Sequence, residues 1–550
     1  MPNRSSDALF QLIKSLEKSE KRNFKLYIKR NSGSEDLKIT QLFDAMDKME
    51  EYDEAQLLQK NKSIKKQQLS NAKAHLYRQI LSSLRLIKND DNIDIQLHEQ
   101  LDHARILYNK GLYLQSLKML DRIKENAKAH NQVTFLLQVL FFEKKIEALH
   151  ITRSMQDRAD RLTAEVDEVN GHLRLVSQWS NLSLQLYSWY IRNGLARNER
   201  DETAVQQFFE QHIPLGPSGS PGSPSSPAPS GFSGSSGFPG SPGSLGSPAE
   251  AVGEPGFYEK LYQYQSYCWY AFIRQDFLLY YRYAQKWVDL FERSTFMIGI
   301  ETAHYIKGMH NLLGAHFDLL NYPRFTDTLE HFEEFSRSEV VQNNHNNLIQ
   351  TFVYLYISKL NKHFLDGTFT EGVALVPYIE EKLKEYEIYL DRHRILVFYY
   401  KIACLYFGSG DYERTIDYLN KIINWKVDLR TDLQCYSRLL HLIAHYELGN
   451  FELLEYLIIA VYRFMAKMEN LSGVEEEIFR FLRRSFKVVR GEIRPEFEKL
   501  LEKLKKYEKN RFETRAFVYL DIISWLESKI KNVPVQDVIR EKYLSGNRRG

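Results

Sequence analysis

The feature that most limits what this chain can fold into is a pattern it repeats. Around Gly111 and around Gly410 two segments superimpose without a gap. A small residue stands seven positions before the glycine (Ala104, Ala403) and an aromatic two after it (Tyr113, Tyr412). A hydroxyl residue follows at five (Ser116, Thr415), a leucine at nine (Leu120, Leu419) and an isoleucine at twelve (Ile123, Ile422). Apolar residues at i, i+3, i+4 and i+7 flank each glycine on both sides, so each segment reads as helix, tight turn, helix. The glycine supplies the backbone conformation that ends the first helix, and the small residue lets the two helices approach.

The same template fits at Phe277, Phe325, Phe369 and Phe451, and more loosely at Met155 and Ile493, with the aromatic kept two positions past the turn. The implied turn centres fall near residues 111, 153, 275, 323, 367, 410, 449 and 491, with a weak ninth at Gly194. Adjacent units are then about 40 residues apart, a solenoid period. At Phe325 the turn reads NYPRF, and Pro323 opens the second helix. The spacing doubles once, between Gly194 and Gln275, and removing residues 214–256 restores it. That insert holds ten of the 15 prolines and no charge before Glu250, so it has too little to bury to offset the entropy of ordering. It is expected to be a disordered tether. Glycine recurs at every third position from Gly216 to Gly246, except at Ser225 and Ala228, a partial collagen-like period. The two interruptions, and the need for three chains, favour the disordered loop over a triple helix.

Ala403, Tyr406, Gly410, Tyr412 and Leu419 follow the residue order of the tetratricopeptide motif. The chain therefore resembles the tetratricopeptide superfamily over residues 95–510 apart from the insert, with a period near 40 in place of that motif's 34. The resemblance implies an all-α fold, a right-handed α-α superhelix that binds other proteins. The expected organisation is an N-terminal helical capping block (1–94), helical repeats (95–213), the disordered insert (214–256), further repeats (257–510), and C-terminal capping helices with a basic tail (511–550). In the first block, Ser6 or Asp7 starts a helix, Asp53 caps EAQLLQK, and Leu69, Ala72, Leu76, Ile80 and Leu84 mark a long packing helix.

Charge and motifs exclude more than they assign. With 74 Lys and Arg against 71 Asp and Glu, the surface as a whole is no anion trap, and any basic site must be local. Cys268, Cys404 and Cys435 have neither metal-ligand spacing nor a basic neighbourhood, so they read as reduced, packed thiols of a cytoplasmic protein. No phosphate-binding glycine loop, dinucleotide fingerprint, zinc-hydrolase HExxH or nucleophile elbow occurs, so no catalytic residue, cofactor or metal site is expected. His441 and His445 lie four apart on one helix face, but no third ligand accompanies them. His445 stands four before its turn, as His363 does before Gly367, which points to interhelical packing.

Two stretches suggest partners. Fourteen aromatics fall between Phe257 and Phe291, against 13% for the whole chain. Trp269, Tyr270, Tyr280, Tyr281 and Tyr283 are the candidates for a peptide groove, since large aromatics with polar tips give contact area at low entropic cost. Residues 60–88 carry Lys62, Lys65, Lys66, Lys73 and Arg78 with no acidic residue among them, a surface that could neutralise phosphates. The leading expectation is a non-catalytic scaffold that binds a protein or peptide on a concave face. The alternative is a nucleic-acid-associated regulator with a basic N-terminal block and a partner-sensing repeat domain.

Overall fold

The computed structural model describes residues 7–31, 36–60, 64–87, 92–150, 157–214, 255–425, 431–468, 471–485, 493–508, 510, 512–513 and 521–546. Nearly all of the Gly/Ser/Pro-rich insert, Met155 and the turn near residue 491 lie outside them. Every element among the described residues is helical. None of these helices is long and apolar enough to cross a membrane. The chain divides into two compact units, Met1–Val166 and Asp167–Gly550.

The first unit holds α1 (Ala8–Ser15), α2 (Lys18–Asn31), α3 (Asp36–Asp47), α4 (Glu54–Lys60), α5 (Lys66–Ile87), α6 (Ile93–Asn109), α7 (Tyr113–Ala129) and α8 (Val133–His150), and in it α9 (Arg158–Asn193) begins. Asp7 caps α1, its carboxylate accepting from the Leu9 and Phe10 amides at 3.0 and 3.2 Å, and Asp53 caps α4 likewise. The stripe read from the sequence closes the core: Leu69, Leu76 and Ile80 of α5 are buried with Phe24, Leu42 and Phe43. Between α6 and α7 the Ser116 hydroxyl donates to the Ala104 carbonyl at 2.8 Å, tying the small residue of the template to its hydroxyl residue.

In the second unit the helices pack in chain order. After α10 (Glu199–His212) come α11 (Phe257–Ile273), α12 (Phe277–Arg293), α13 (Phe296–Ile300), α14 (Thr302–Asp318), α15 (Tyr322–Ser336), α16 (Glu339–Gln342) and α17 (His345–Asp366). Next are α18 (Phe369–Gly372), α19 (Val376–Glu385), α20 (Arg392–Ser409), α21 (Tyr412–Ile423), α22 (Thr431–Glu447) and α23 (Phe451–Lys467). The unit ends with α24 (Gly473–Ser485), α25 (Ile493–Lys505), α26 (Ile522–Lys531) and α27 (Val535–Leu544). One continuous apolar core runs from Phe257 to Ile539 along these seams.

The turns carry the repeat. Gly111, Gly194, Gly367, Gly410 and Gly449 all have left-handed backbone, and so does Gln275. At Gly111, Gln275, Gly367, Gly410 and Gly449 the amide just past the turn residue reaches back five residues, as Asp411 N does to Tyr406 O at 2.9 Å. Where that next residue is an aspartate it also caps the second helix: Asp276 accepts from Leu279 N at 3.0 Å and Asp411 from Arg414 N at 3.1 Å. One register differs from the sequence expectation. The left-handed residue of the α14–α15 turn is Leu320, φ 54°, and not position 323. Asn321 caps, Tyr322 is the aromatic two beyond, and Phe325 takes the buried place held by Ser116 and Thr415 elsewhere. Pro323 sits in the first turn of α15, where its missing amide hydrogen costs nothing.

The C-terminal pair folds back over earlier repeats as well as packing on α25. The Arg540 guanidinium donates to the Asp366 carbonyl at 3.1 Å, and the Thr370 hydroxyl to Gln536 at 2.8 Å. At Gly367 a side-chain carbon would meet the Arg540 amide nitrogen at 2.5 Å, so this turn needs glycine for space as well as for its φ of 68°.

Candidate functional site

One cavity of about 250 Å3 in the second unit is lined mainly by the first helices of successive hairpins, α9, α11, α14, α17 and α20, and completed by Tyr280 of α12 and Leu433 of α22. The lining follows a single helical face. In α14 it comprises Lys307, His310, Gly314 and Phe317, spaced three, seven and ten residues apart, which is one stripe of an α-helix. In α17 the equivalent stripe gives Tyr354, Ile357 and Asn361, and in α20 it gives Val397 and Tyr400. The repeat thus places the same helix face, hairpin after hairpin, around one space.

Tyr354 is the hub of that space. His310 stacks on its ring at 4.3 Å, Lys307 Nζ lies 4.9 Å from the ring centre and the Arg394 guanidinium 5.8 Å. Lys307 also faces Trp269, 5.8 Å from its ring centre. The cation–π contacts hold these charges without neutralising them. Arg394 has an ion pair to Asp391 at 3.3 Å, and the other oxygen of Asp391 caps α20. Among the described residues Lys307 has no ion pair.

Deeper in, Lys401 is only 4% exposed, and its ammonium donates to Asn361 Oδ1 at 2.6 Å. Burial brings its pKa down to about 8, and burial likewise pushes the Asp318 carboxyl up to about 7, against the pull of Lys401. His310 is held well below its ordinary pKa by burial, with Lys307, Lys401 and Arg394 adding to the effect. Its Nδ1 is buried and has no hydrogen-bond partner among the described residues. Three cations therefore face two carboxylates, one of them held back from ionising, and the space favours negative charge.

The structure separates the five aromatics suggested by the sequence. Trp269 and Tyr280 line the cavity. Tyr270 is buried, stacked on Phe209 at 4.0 Å, with its hydroxyl accepting from Arg274 at 2.7 Å. Tyr281 lies against His316, and Tyr283 stacks face to face on Tyr267 at 4.2 Å. Consecutive residues of α12 thus face different neighbours, and none of the three tyrosines is exposed. Lys307, His310, Arg394 and Lys401 were not among the sequence candidates. Their signal was a polar residue breaking an apolar helix, as Lys401 does in LVFYYKIACLYF.

The basic stretch of the first unit is divided too. Lys73 is drawn inward, paired with the Asp7 carboxylate and donating to the Tyr52 hydroxyl at 2.8 Å. Lys65, Lys66 and Arg78 are exposed, and Lys62 lies outside the described residues. The His441 and His445 rings meet edge to face at 4.4 Å, and among the described residues no cluster of three metal-ligating side chains forms. All three cysteines are buried thiols; burial pushes Cys404 up to about 12 and Cys268 higher.

The fold and cavity define an all-α protein of sequentially packed helical hairpins with an aromatic, cation-rich cavity between their first helices. No family model, curated protein or solved structure matches the chain.

Proposed function

We propose that the chain is a non-catalytic scaffold, a right-handed superhelix of tetratricopeptide-like hairpins that binds a protein or peptide partner on its concave face. The observation that carries this reading is the cavity itself. One face of the first helix from each of five successive hairpins forms most of its wall, as expected where stacked hairpins curve toward a common inner surface. Its walls are aromatic with a few placed polar groups, the usual make-up of a recognition site. Binding needs nothing more from these residues. Nucleophilic catalysis would need a nucleophile held to a base, whereas the Lys401 ammonium donates to the Asn361 side-chain carbonyl.

The test is photocrosslinking in the source cell, with p-benzoylphenylalanine in place of Tyr354 on the inner face or Tyr456, 77% exposed on the second helix α23. A discrete protein or peptide adduct from position 354 and none from position 456 is the expected result. Adducts only at 456, or none at either position, would refute the inner-face reading.

A further inference from the structure

We propose that the cavity among α11, α14, α17 and α20 is a carboxylate site, which takes an acidic group of a peptide together with the apolar body beside it. This rests on the scaffold reading and names the chemistry of its ligand. Lys307, Arg394 and His310 converge on the ring of Tyr354, and Lys307 also lies over Trp269. Two of these groups are cationic side chains, and the third presents a buried ring nitrogen that no group among the described residues satisfies. An unsatisfied buried polar atom is costly, and an acceptor placed there would supply its missing hydrogen bond when Nδ1 carries the proton. The ammonium of Lys307, which has no ion pair among the described residues, supplies the counter-charge.

Size and wall chemistry narrow the ligand further. A space of about 250 Å3 admits one or two side chains and not a helix. Trp269, Phe272 and Phe317 make much of the wall apolar, so the anion must be attached to an apolar or aromatic body. A peptide offers a carboxylate in two places, at its C-terminus or on Asp and Glu side chains.

The experiment measures binding of fluorescent hexapeptide pools, built only from neutral residues, to the intact chain and to Lys307→Gln and His310→Phe. One pool ends in a free carboxylate, one in an amide, and one in an amide with a single internal Glu. 3-Phenylpropionate is titrated separately, and thermal unfolding of each variant checks that it folds. The proposal expects acid-bearing pools to bind, the plain amide pool to bind at least about tenfold more weakly, and Lys307→Gln to remove that difference. Which acid pool binds identifies the source of the carboxylate. Equal binding of acid and amide pools, unaffected by Lys307→Gln, would overturn the carboxylate site and leave the scaffold reading intact. If no pool binds but 3-phenylpropionate does, and Lys307→Gln abolishes it, the carboxylate site stands and the peptide scaffold fails. Binding of neither would overturn the site.

Discussion

The histidines that precede the turns show what single positions do in this fold. His363 and His445 stand four residues before Gly367 and Gly449, and the corrected register adds His316 before Leu320. Each gives its carbonyl to the amide just past the turn, between 2.9 and 3.1 Å, and two also cap with the ring: His363 Nδ1 meets the Thr368 hydroxyl at 2.8 Å and His445 Nδ1 the Asn450 amide at 3.0 Å. His441, one turn of helix earlier, is held neutral. Burial and the facing His445 and Arg438 bring its pKa down to about 4. Between pH 6.5 and 4 the unfolded chain binds a proton that the folded chain refuses, so the stability present above pH 6.5 is lost as pH falls through that window. Urea unfolding at pH 7 and at pH 4.5 should show His441→Gln losing on the order of 2 kcal/mol less than the parent across that interval. Equal losses would mean that His441 is not kept neutral by the fold. At this scale the sequence was legible wherever the turn residue was glycine. It misled at Leu320, because a leucine in left-handed backbone has no sequence signature while Pro323 marks a turn strongly.

At the scale of helices, the hairpins are joined by polar staples that periodicity does not reveal. In the first unit the fully buried Glu143 of α8 pairs with Lys124 of α7 at 2.9 Å and Arg158 of α9 at 3.5 Å, while Glu165 of α9 pairs with Lys124 at 3.4 Å and Lys128 at 2.7 Å. Burial pushes the Glu143 carboxyl up despite these cations, so the ion pairs only offset part of the cost of its desolvation. Removing one partner strands the others. Glu143→Ala should cost about 3 kcal/mol in chemical denaturation, and Glu143→Met combined with Lys124→Met should cost clearly less. If the double variant were the worse of the two, the pairs would be a net source of stability. Nothing local in the sequence marks Glu143 for burial, since its partners come from helices on either side in the chain. Lys73 shows the same limit: its place in a basic run suggested a surface contact, but tertiary packing pairs it with Asp7.

Over the whole molecule, the repeat was legible because each hairpin must bury the same stripe, and Ala104 with Ala403 and Leu120 with Leu419 are buried at matched positions. The cavity was only half legible. Aromatic density pointed to residues 257–291, and of the five candidates there Trp269 and Tyr280 reach it. The charges came from helices far along the chain, Lys307, Arg394 and Lys401, and were brought together by stacking. The docking of α27 on the α17–α18 turn through Arg540 and Gln536 had no local signal either, since it joins residues more than one repeat apart.

Partner binding by the first helices of the hairpins, and not by the second, is the proposal on which the function stands. Hydrogen–deuterium exchange of the intact chain, with and without the free-acid hexapeptide pool, tests it most directly. The account predicts slowed exchange in α14, α17 and α20, with α15, α21 and α23 unchanged. Protection confined to α15, α21 and α23, or to the first unit, would contradict it.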